Sequence, residues 1–319
     1  MLSFGLGRLR VSGNKIVSTA KGEPILLRGV NRSGLEHSEP DHDSFVSAAG
    51  MSGYEFHYIA YHWKANIFRI PFNQDWALNG RGSKTADDYL RDIDRVIGWA
   101  ACQGAYTLLD LQWLDMDHSF GAGRQFVAPL PNPETPRLWK MLAQRYKDEP
   151  AVMFDLLNEP HDRADDDPYL LYKPDGSQYP ADQRRVTMAE WKPWAELLID
   201  TIRAEAPETL IFVSGTNWAY DLRGFPLQRS NVVYSTHIYP AKGRDWDGAF
   251  GDLSLVAPVF AGEIGGQAGD VRWGRKLLDY LTERGIGWTA WSMFDEPQLV
   301  QRFRPTEFGR VVAEQMGLR

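Results

Sequence analysis

The feature that most constrains this chain is a regular alternation of short β-rich segments with longer helical patterns. Several of the β-rich segments are almost continuously apolar, which is typical of parallel strands covered on both faces. These segments are residues 25–31, 66–72, 106–113, 151–159, 210–216, 231–239, 258–264 and 287–294. Because no low-complexity linker or shift in composition divides the chain, we expect residues 1–319 to form a single domain.

Helical patterns fill the intervals between these segments. Residues 87–103 carry apolar side chains at helical spacing, begin with acidic residues and end at Gly104, and residues 137–147, 188–206 and 271–284 are similar. The interval after Tyr239 has the weakest helical pattern. Eight strands in alternation with helices predict an α/β fold of the (β/α)8 TIM barrel type. A doubly wound open sheet fits less well, because no glycine-rich phosphate turn follows the first strand.

Composition and charge argue against several classes of protein. A net charge of −7, with no block of Lys and Arg, argues against a nucleic-acid partner. There is no run of about 20 apolar residues, so we expect no membrane helix, and the first residues lack the apolar core of a signal peptide. The single cysteine, Cys102, cannot form an intrachain disulfide and is predicted to be a buried helical residue.

Polar and aromatic residues stand where the predicted strands end. The carboxyl ends of the strands form the catalytic face of such a barrel, so these residues are candidates for a site. They are Arg69, Gln112, Asn158, Glu159, Asn217, Trp218, His237, Tyr239, Glu263 and Trp291. The two glutamates end otherwise apolar strands, the fourth (MFDLLNEP) and the seventh (PVFAGEIGG), and are expected to face one another across the barrel.

A pair of opposed carboxyl groups is suited to glycoside hydrolysis. One group protonates the leaving oxygen, while the other attacks the anomeric carbon or activates water. A separation of ~5–5.5 Å predicts retention of configuration, and ~6.5–9.5 Å predicts inversion. We expect Arg69 and Tyr239 to keep Glu263 ionised, and burial near a second carboxylate to keep Glu159 protonated. This chemistry needs water and two carboxyl groups, so no cofactor or metal is expected.

These motifs resemble those of glycoside hydrolase family 5, within the larger clan of retaining barrels with glutamates on strands four and seven. The similar stretches span nearly the whole chain: LLRGVNRSGLE, NIFRIPFNQDW, LLDLQW, FDLLNEPH, VYSTHIYP, FAGEIGG and WSMFDE. FDLLNEPH and FAGEIGG are the specific ones. The resemblance implies that Glu159 is the acid/base and Glu263 the nucleophile, and that Arg69 and Tyr239 support the nucleophile.

The resemblance also implies a substrate site around the glutamates. Asn158 is expected to bind the 2-hydroxyl, His237 to lie beside the acid/base, and Trp291 to form the floor of a sugar subsite. One position departs from the family pattern, which usually has a histidine where this chain has Gln112. Glutamine cannot carry a proton but can donate and accept hydrogen bonds, so we expect the subsite to hold its sugar differently while catalysis is retained. His118 is a candidate to replace part of that histidine's role.

Several tryptophans are candidates to line a long cleft, which favours endo action on a linear glucan. They are Trp63, Trp76, Trp113, Trp218 and Trp246, and each has an even chance of lying in the core instead. The long segment after His161 favours the opposite outcome, since it is able to close the cleft into a pocket. Its aspartates at 165–167 lack the ligand spacing of a calcium loop and are interpreted as a solvated turn.

We therefore predict a retaining endo-β-1,4-glucanase (a cellulase) whose partner is a polysaccharide or oligosaccharide substrate of β-1,4 or mixed linkage. A β-mannanase or an exo-acting β-glucosidase would use the same chemistry and remains an alternative. A catalytically silent carbohydrate-binding barrel is expected to have lost one glutamate, and this chain retains both. A metal-dependent hydrolase is disfavoured, because the 7 His include no H-x-H or H-E-x-x-H spacing.

Overall fold

The computed structural model describes residues 5–40, 43–117, 124–126, 128–163 and 177–318. Within this part of the chain, eight parallel strands form a closed barrel in which each strand pairs with the next and the last pairs with the first. They are β1 (Arg28–Asn31), β2 (Ile67–Asn73), β3 (Tyr106–Trp113), β4 (Val152–Asp155), β5 (Ile211–Ser214), β6 (Val232–Ile238), β7 (Val259–Ile264) and β8 (Gly287–Ala290). The predicted TIM barrel is confirmed, and each predicted β-rich segment overlaps one strand.

Helices lie in the crossovers between the strands. The α-helices are Phe45–Ala48, Gly53–Tyr58, Gln74–Asn79, Ala86–Cys102, Thr135–Tyr146, Met188–Glu205, Val271–Glu283 and Glu307–Met316. Short 3-10 and π-helical turns are Ile59–Trp63, Ala181–Gln183, Pro240–Lys242, Asp247–Gly251, Leu253–Leu255 and Ala268–Asp270. The crossover from β6 to β7, which is described throughout, contains such turns and no α-helix, in agreement with its weak sequence pattern.

Short antiparallel hairpins complete the fold. Strands Leu9–Ser12 and Lys15–Ser18 pair near the amino ends of the barrel strands, where Leu9 and Ile16 belong to an apolar cluster with residues such as Leu27. This cluster closes the barrel opposite the face where the strands end. The other hairpins pair Asp115–Asp117 with Arg124–Phe126, and Val300–Gln301 with Arg304–Pro305.

The helix Ala86–Cys102 shows how the local sequence specifies these elements. Thr85 and Asp88 form a capping box, in which each side chain accepts a hydrogen bond from the other residue's backbone N–H. Such a cap contributes about 1 kcal/mol. Apolar residues at helical spacing face the barrel, but Cys102 in the last turn is exposed, so the prediction that it is buried is wrong.

Tryptophans account for much of the packing between the barrel and its helices. Trp63 and Trp76 were candidates to line the cleft. Both are 0% exposed and belong to the core instead. Within the described residues, no helix combines the length and apolarity needed to cross a membrane. His118 and the aspartates at 165–167 lie outside the described residues.

Candidate active site

A single guanidinium group connects the strand ends at the centre of the barrel. Arg69 on β2 is fully buried, and three buried carboxylates lie within 3.0 Å of its nitrogens, those of Asp110, Asp155 and Glu263. Burial raises the pKa of Asp110 well above its ordinary value, although the Arg69 charge opposes this shift. Arg69 thus contacts carboxyl groups from three other strands. Strands β2, β3, β4 and β7 are thereby joined by ionic contacts.

Glu263 lies within β7, one residue before the strand ends. Its Oε1 accepts a hydrogen bond from Nη1 of Arg69 at 3.0 Å, and its Oε2 accepts one from the Tyr239 hydroxyl at 2.6 Å. Burial raises the pKa of Glu263, while the Arg69 charge and the Tyr239 hydrogen bond act against this rise by stabilising the anion. The structure therefore brings Arg69, Tyr239 and Glu263 together in a geometry that orients both carboxylate oxygens.

Glu159 lies beyond the end of β4, in the loop that follows Asp155. Its Oε1 is 2.9 Å from Nδ1 of His237 on β6. Burial lowers the pKa of His237 to about 4, so this imidazole is neutral near pH 7. Burial also raises the pKa of Glu159 to about 7, and the positive charges of Lys242 and Arg69 act in the opposite direction. Glu159 is therefore a carboxyl group that holds its proton up to the neutral range.

The two glutamates approach each other closely. A carboxylate oxygen of Glu159, a ring nitrogen of His237 and a carboxylate oxygen of Glu263 all lie within 4.8 Å of one another. An approach of at most 4.8 Å between two of their oxygens is compatible with the ~5–5.5 Å between carboxyl groups that is typical of retaining glycosidases. It favours retention over the ~6.5–9.5 Å that accommodates a water molecule in inverting enzymes.

An open pocket of about 460 Å³ contains both glutamates. Its lining residues are Gln112, Glu159, Trp218, Tyr239, Lys242, Glu263 and Trp291. Of the other residues predicted to form the site, Arg69, Asn158 and His237 are buried around the glutamates. Lys242 was not predicted from the sequence. The indole N–H of Trp291 donates to the carbonyl of Glu296 at 3.2 Å, which fixes the orientation of this ring on the pocket wall.

Asn158 and Gln112 supply amide groups to the site. Oδ1 of Asn158 accepts a hydrogen bond from Nη2 of Arg69 at 2.9 Å, and because a guanidinium group only donates, the remaining amide group is the Nδ2 donor. Gln112 lines the pocket at the end of β3, and its buried Oε1 has no hydrogen-bond partner among the described residues. A buried acceptor without a partner on a pocket wall is a position where a ligand hydroxyl is able to donate.

Trp218 is presented to the pocket by an unusual turn after β5. Three successive residues have positive φ angles, which are Asn217 (56°), Trp218 (58°) and Ala219 (58°). Residues other than glycine rarely adopt this conformation, which costs of order 1–3 kcal/mol each and persists where the surroundings enforce it. Here the Trp218 N–H donates to the carbonyl of Pro160 at 3.0 Å, and Nζ of Lys242 donates to the carbonyl of Asn217 at 3.1 Å.

His161 joins this turn to the acid/base candidate. Its ring stacks on Trp218 with a centroid distance of 3.7 Å and an interplanar angle of 13°. Its Nδ1 lies 2.6 Å from the backbone carbonyl of Glu159, and because a carbonyl only accepts, Nδ1 carries the proton. Burial lowers the pKa of His161 to about 4, so the ring is neutral near pH 7. The backbone of Glu159 is thus held by a neutral ring in a stack.

Two of the predicted tryptophans lie away from this pocket. Trp113 packs against His37 at a centroid distance of 5.5 Å and does not line the pocket that contains the glutamates. Trp246 packs against Tyr280 at 5.2 Å and lines a separate groove. Of the five tryptophans predicted to line a cleft, Trp218 lines the pocket that contains the two glutamates.

Two clusters among the described residues bring three possible metal ligands within 4.8 Å of one another. The first consists of Glu159, His237 and Glu263, and the second of Glu36, His37 and Asp295. In the second cluster, Nε2 of His37 is 2.7 Å from Asp295, and Glu36 accepts a hydrogen bond from the Gly34 N–H at 2.7 Å. In each cluster, a hydrogen bond of the histidine accounts for one of the short contacts, that of His237 with Glu159 at 2.9 Å and that of His37 with Asp295 at 2.7 Å.

The chain is similar to known proteins over most of its length. The model of the cellulases of glycosyl hydrolase family 5 matches residues 19–296. Endoglucanase E-5 from Thermobifida fusca is 25% identical over 325 residues, which cover 94% of this chain and 58% of E-5. An endoglucanase from Paenibacillus polymyxa is 25% identical over 353 residues, which cover 90% of this chain and 80% of that protein. The chain therefore spans little more than half the length of E-5.

Solved structures show the same architecture. A β-glucanase from Saccharophagus degradans, also solved in complex with cellotetraose, is 26% identical with a TM-score of 0.75, covering 97% of this chain and 92% of that chain. A hyperthermostable endocellulase has the same fold, with a TM-score of 0.74 and 23% identity. The match covers 97% of this chain and 98% of that chain. The family match includes both glutamate motifs, and the resemblance noted in the sequence is confirmed. The chain belongs to glycosyl hydrolase family 5, the cellulase family.

Proposed function

We propose that this protein is a retaining endo-β-1,4-glucanase that hydrolyses β-1,4-linked or mixed-linkage glucans. The observation that carries the proposal is the approach of Glu159 and Glu263 to within 4.8 Å in an open pocket. Membership of the cellulase family and the two endoglucanase relatives support this activity. The β-glucanase complex with cellotetraose supports an oligosaccharide as the ligand class. Residues 1–319 would act as one catalytic domain.

In the first step, the Glu263 carboxylate attacks the anomeric carbon and forms a covalent glycosyl–enzyme. The bond from that carbon to the leaving oxygen breaks, and Glu159 transfers its proton to this oxygen, so that the leaving sugar departs as an alcohol. Arg69 and Tyr239 support this role because they stabilise Glu263 as an anion and orient both of its oxygens.

In the second step, Glu159 is an anion and accepts a proton from water as the water oxygen attacks the anomeric carbon. The bond to Glu263 breaks, and the product keeps the original anomeric configuration. A pKa of about 7 suits Glu159 for both roles, because the group is able to donate and accept a proton near neutrality. The neutral His237 ring accepts a hydrogen bond from protonated Glu159 or donates one to the anion, according to its tautomer.

The remaining pocket residues would hold the glucan. The Nδ2 donor of Asn158 is suited to the 2-hydroxyl, and Gln112 offers an acceptor to another sugar hydroxyl. Trp218 and Trp291 provide flat surfaces for pyranose rings on the pocket wall. Trp113 would contribute farther from the glutamates, next to His37.

The product profile on soluble polysaccharides tests the proposed function. We expect rapid loss of viscosity and mixed oligosaccharides from carboxymethyl cellulose, barley β-glucan and lichenan. Release of monosaccharide at unchanged viscosity would replace this proposal with an exo-acting β-glucosidase, and a preference for galactomannan would indicate a mannanase. Proton NMR of the first products tests the mechanism, since retention gives the β-anomer before mutarotation and inversion gives the α-anomer.

A further inference from the structure

A groove of about 930 Å³ lies beside the catalytic pocket and has no role in the chemistry above. One wall comes from residues 240–246, which follow β6, and the other from residues 269–276, at the start of the helix Val271–Glu283. In the first wall, Pro240, Arg244 and Trp246 line the groove, whereas Lys242 lines the catalytic pocket. Neighbouring residues of one short segment therefore line the two depressions.

The charges that line this groove are mostly positive, although the whole chain has a net charge of −7. The four cations are Arg244, Arg272, Arg275 and Lys276. Asp270 is the one carboxylate among the described lining residues, and its Oδ2 accepts a hydrogen bond from the Gln267 N–H at 2.8 Å. Arg275 forms an ion pair with Glu314 at 2.8 Å. Within the described chain, the other three cations make no ion pair with a carboxylate within 4 Å.

Other carboxylates near the groove are engaged elsewhere. Asp247 contacts Arg284 and accepts a hydrogen bond from the Tyr280 hydroxyl at 2.6 Å, and Asp245 accepts one from the Gly248 N–H at 3.1 Å. Asp247 and Asp245 keep their negative charges but do not line the groove, where four cations face one carboxylate among the described lining residues. An anionic ligand is the complement of such a lining.

Aromatic rings form the remainder of the lining. Trp246 is partly buried and packs against Tyr280, and Trp273 is partly buried and stacks on Phe308 with an interplanar angle of 25°. Each ring is anchored on one side by another aromatic side chain and contributes surface to the groove. Fixed aromatic surfaces accept the apolar faces of sugar rings at low cost in conformational entropy.

We propose that this groove is a second carbohydrate site, which binds glycan segments that carry carboxylate groups, such as runs of uronic acid units. Its tryptophans would contact the sugar rings, while Arg244, Arg272 and Lys276 would pair with the carboxylates. A neutral glucan has no anionic group to form ion pairs with these cations. The proposal goes beyond the catalytic function, since none of the residues that carry it contacts the two glutamates.

Isothermal titration of the full chain with β-1,4-linked tetraglucuronic acid tests the proposal. Excess cellobiose is present to occupy the catalytic pocket. We expect saturable binding that weakens about tenfold in the double variant Arg272→Ala/Lys276→Ala, which removes two charge-assisted contacts. The matched control Arg137→Ala/Lys140→Ala removes the same residue types from an exposed face of the helix Thr135–Tyr146 and should bind like the wild type.

Hydrolysis of barley β-glucan should be the same in all three proteins, which separates this proposal from the catalytic one. No saturable binding by the wild type, much weaker binding with cellobiose than in a titration without it, or equal affinity in the groove variant would each overturn the proposal. Equal affinity for a tetranucleotide would also overturn it, by showing unspecific attraction of anions. If the groove variant is misfolded, the salt dependence of the wild type tests the proposal instead. Its dissociation constant for the probe must rise with added NaCl, and an unchanged constant would contradict ion pairing. A wild type that binds the probe without hydrolysing any neutral glucan would refute the catalytic proposal alone.

Discussion

The two sides of the proposed catalytic pocket are formed by different kinds of structure. Around Glu263, the supporting groups come from regular strands, since Arg69 lies within β2 and Tyr239 directly follows β6. Around Glu159, His237 comes from β6, whereas the groups that hold the backbone come from loops, where His161 hydrogen-bonds the Glu159 carbonyl and stacks on Trp218 in a left-handed turn. The strand side is positioned by the register of the barrel, and the loop side by a few contacts between side chains and backbone.

The electrostatics of the two sides differ in the same way. Glu263 contacts a guanidinium group and a hydroxyl donor, both of which favour its anion. Glu159 is surrounded mainly by neutral rings, and burial raises its pKa to about 7. The group proposed to remain charged is thus held by rigid, charged surroundings. The group proposed to gain and lose a proton is held by surroundings that favour neither state strongly.

Replacement of the nucleophile candidate, on the strand side of the pocket, should have the largest effect on activity. Glu263→Gln keeps the size of the side chain and an oxygen that accepts from Arg69, so the melting temperature should change little. Turnover of barley β-glucan should fall by about 10⁴-fold or more, because no carboxylate remains to form the intermediate. Activity within tenfold of the wild type would refute the role of Glu263.

Replacement of Glu159 should have an effect that depends on the substrate. Glu159→Ala should slow hydrolysis of cello-oligosaccharides by about 10²–10⁴-fold, because their leaving oxygen needs a proton. Formation of the glycosyl–enzyme from dinitrophenyl cellobioside should be affected much less, since this leaving group departs without protonation. Stopped-flow measurement of the dinitrophenol burst gives this first step. Equal losses on both substrates would contradict the acid role.

Loss of the central guanidinium group should affect stability. Arg69→Met leaves Asp155 and Glu263 buried without their counter-ion, which should lower the free energy of unfolding by about 3–5 kcal/mol. Urea denaturation measures this change. Arg229→Met, which breaks the exposed pair with Asp200, serves as the control and should unfold like the wild type. Equal stability of the two variants would show that the strand side does not depend on its charge.

The strand side could be predicted from the sequence because its signals are local. Each β-rich segment is a run of apolar residues, and Arg69 and Glu263 interrupt or end such a run. The barrel then forces strand ends to converge, so a residue's position in its strand almost determines its position in the site. The contacts of Arg69 and Tyr239 with Glu263 follow from this geometry.

The loop side could not be predicted in the same detail. Asn217, Trp218 and Ala219 adopt positive φ without a glycine to signal the turn, and the stack of Trp218 on His161 depends on two different loops. The burial of Trp63 in the core could not be predicted either, because an aromatic residue beside a helical pattern is found both in cores and in clefts. Lys242 was missed because it follows a strand end by several residues and belongs to no motif. Its position in the same loop as Tyr239 was the one available signal.

Lys242 provides the smallest and most selective test of the comparison. In the proposed mechanism, cleavage of cello-oligosaccharides requires protonated Glu159, so kcat/KM should fall as the pH rises through about 7. The positive charge of Lys242 lowers the pKa of Glu159, and Lys242→Met removes that charge. The pKa of Glu159 should then rise further, its proton should persist to higher pH, and the basic limb of the pH profile should move to higher pH.

The control variant Lys242→Arg keeps the charge and should leave the basic limb near its original pH. If the basic limb of Lys242→Met stays at the same pH or moves to lower pH, this loop does not control the pKa of Glu159. The proposed difference between a charged strand side and a loop side that adjusts the pKa would then be wrong.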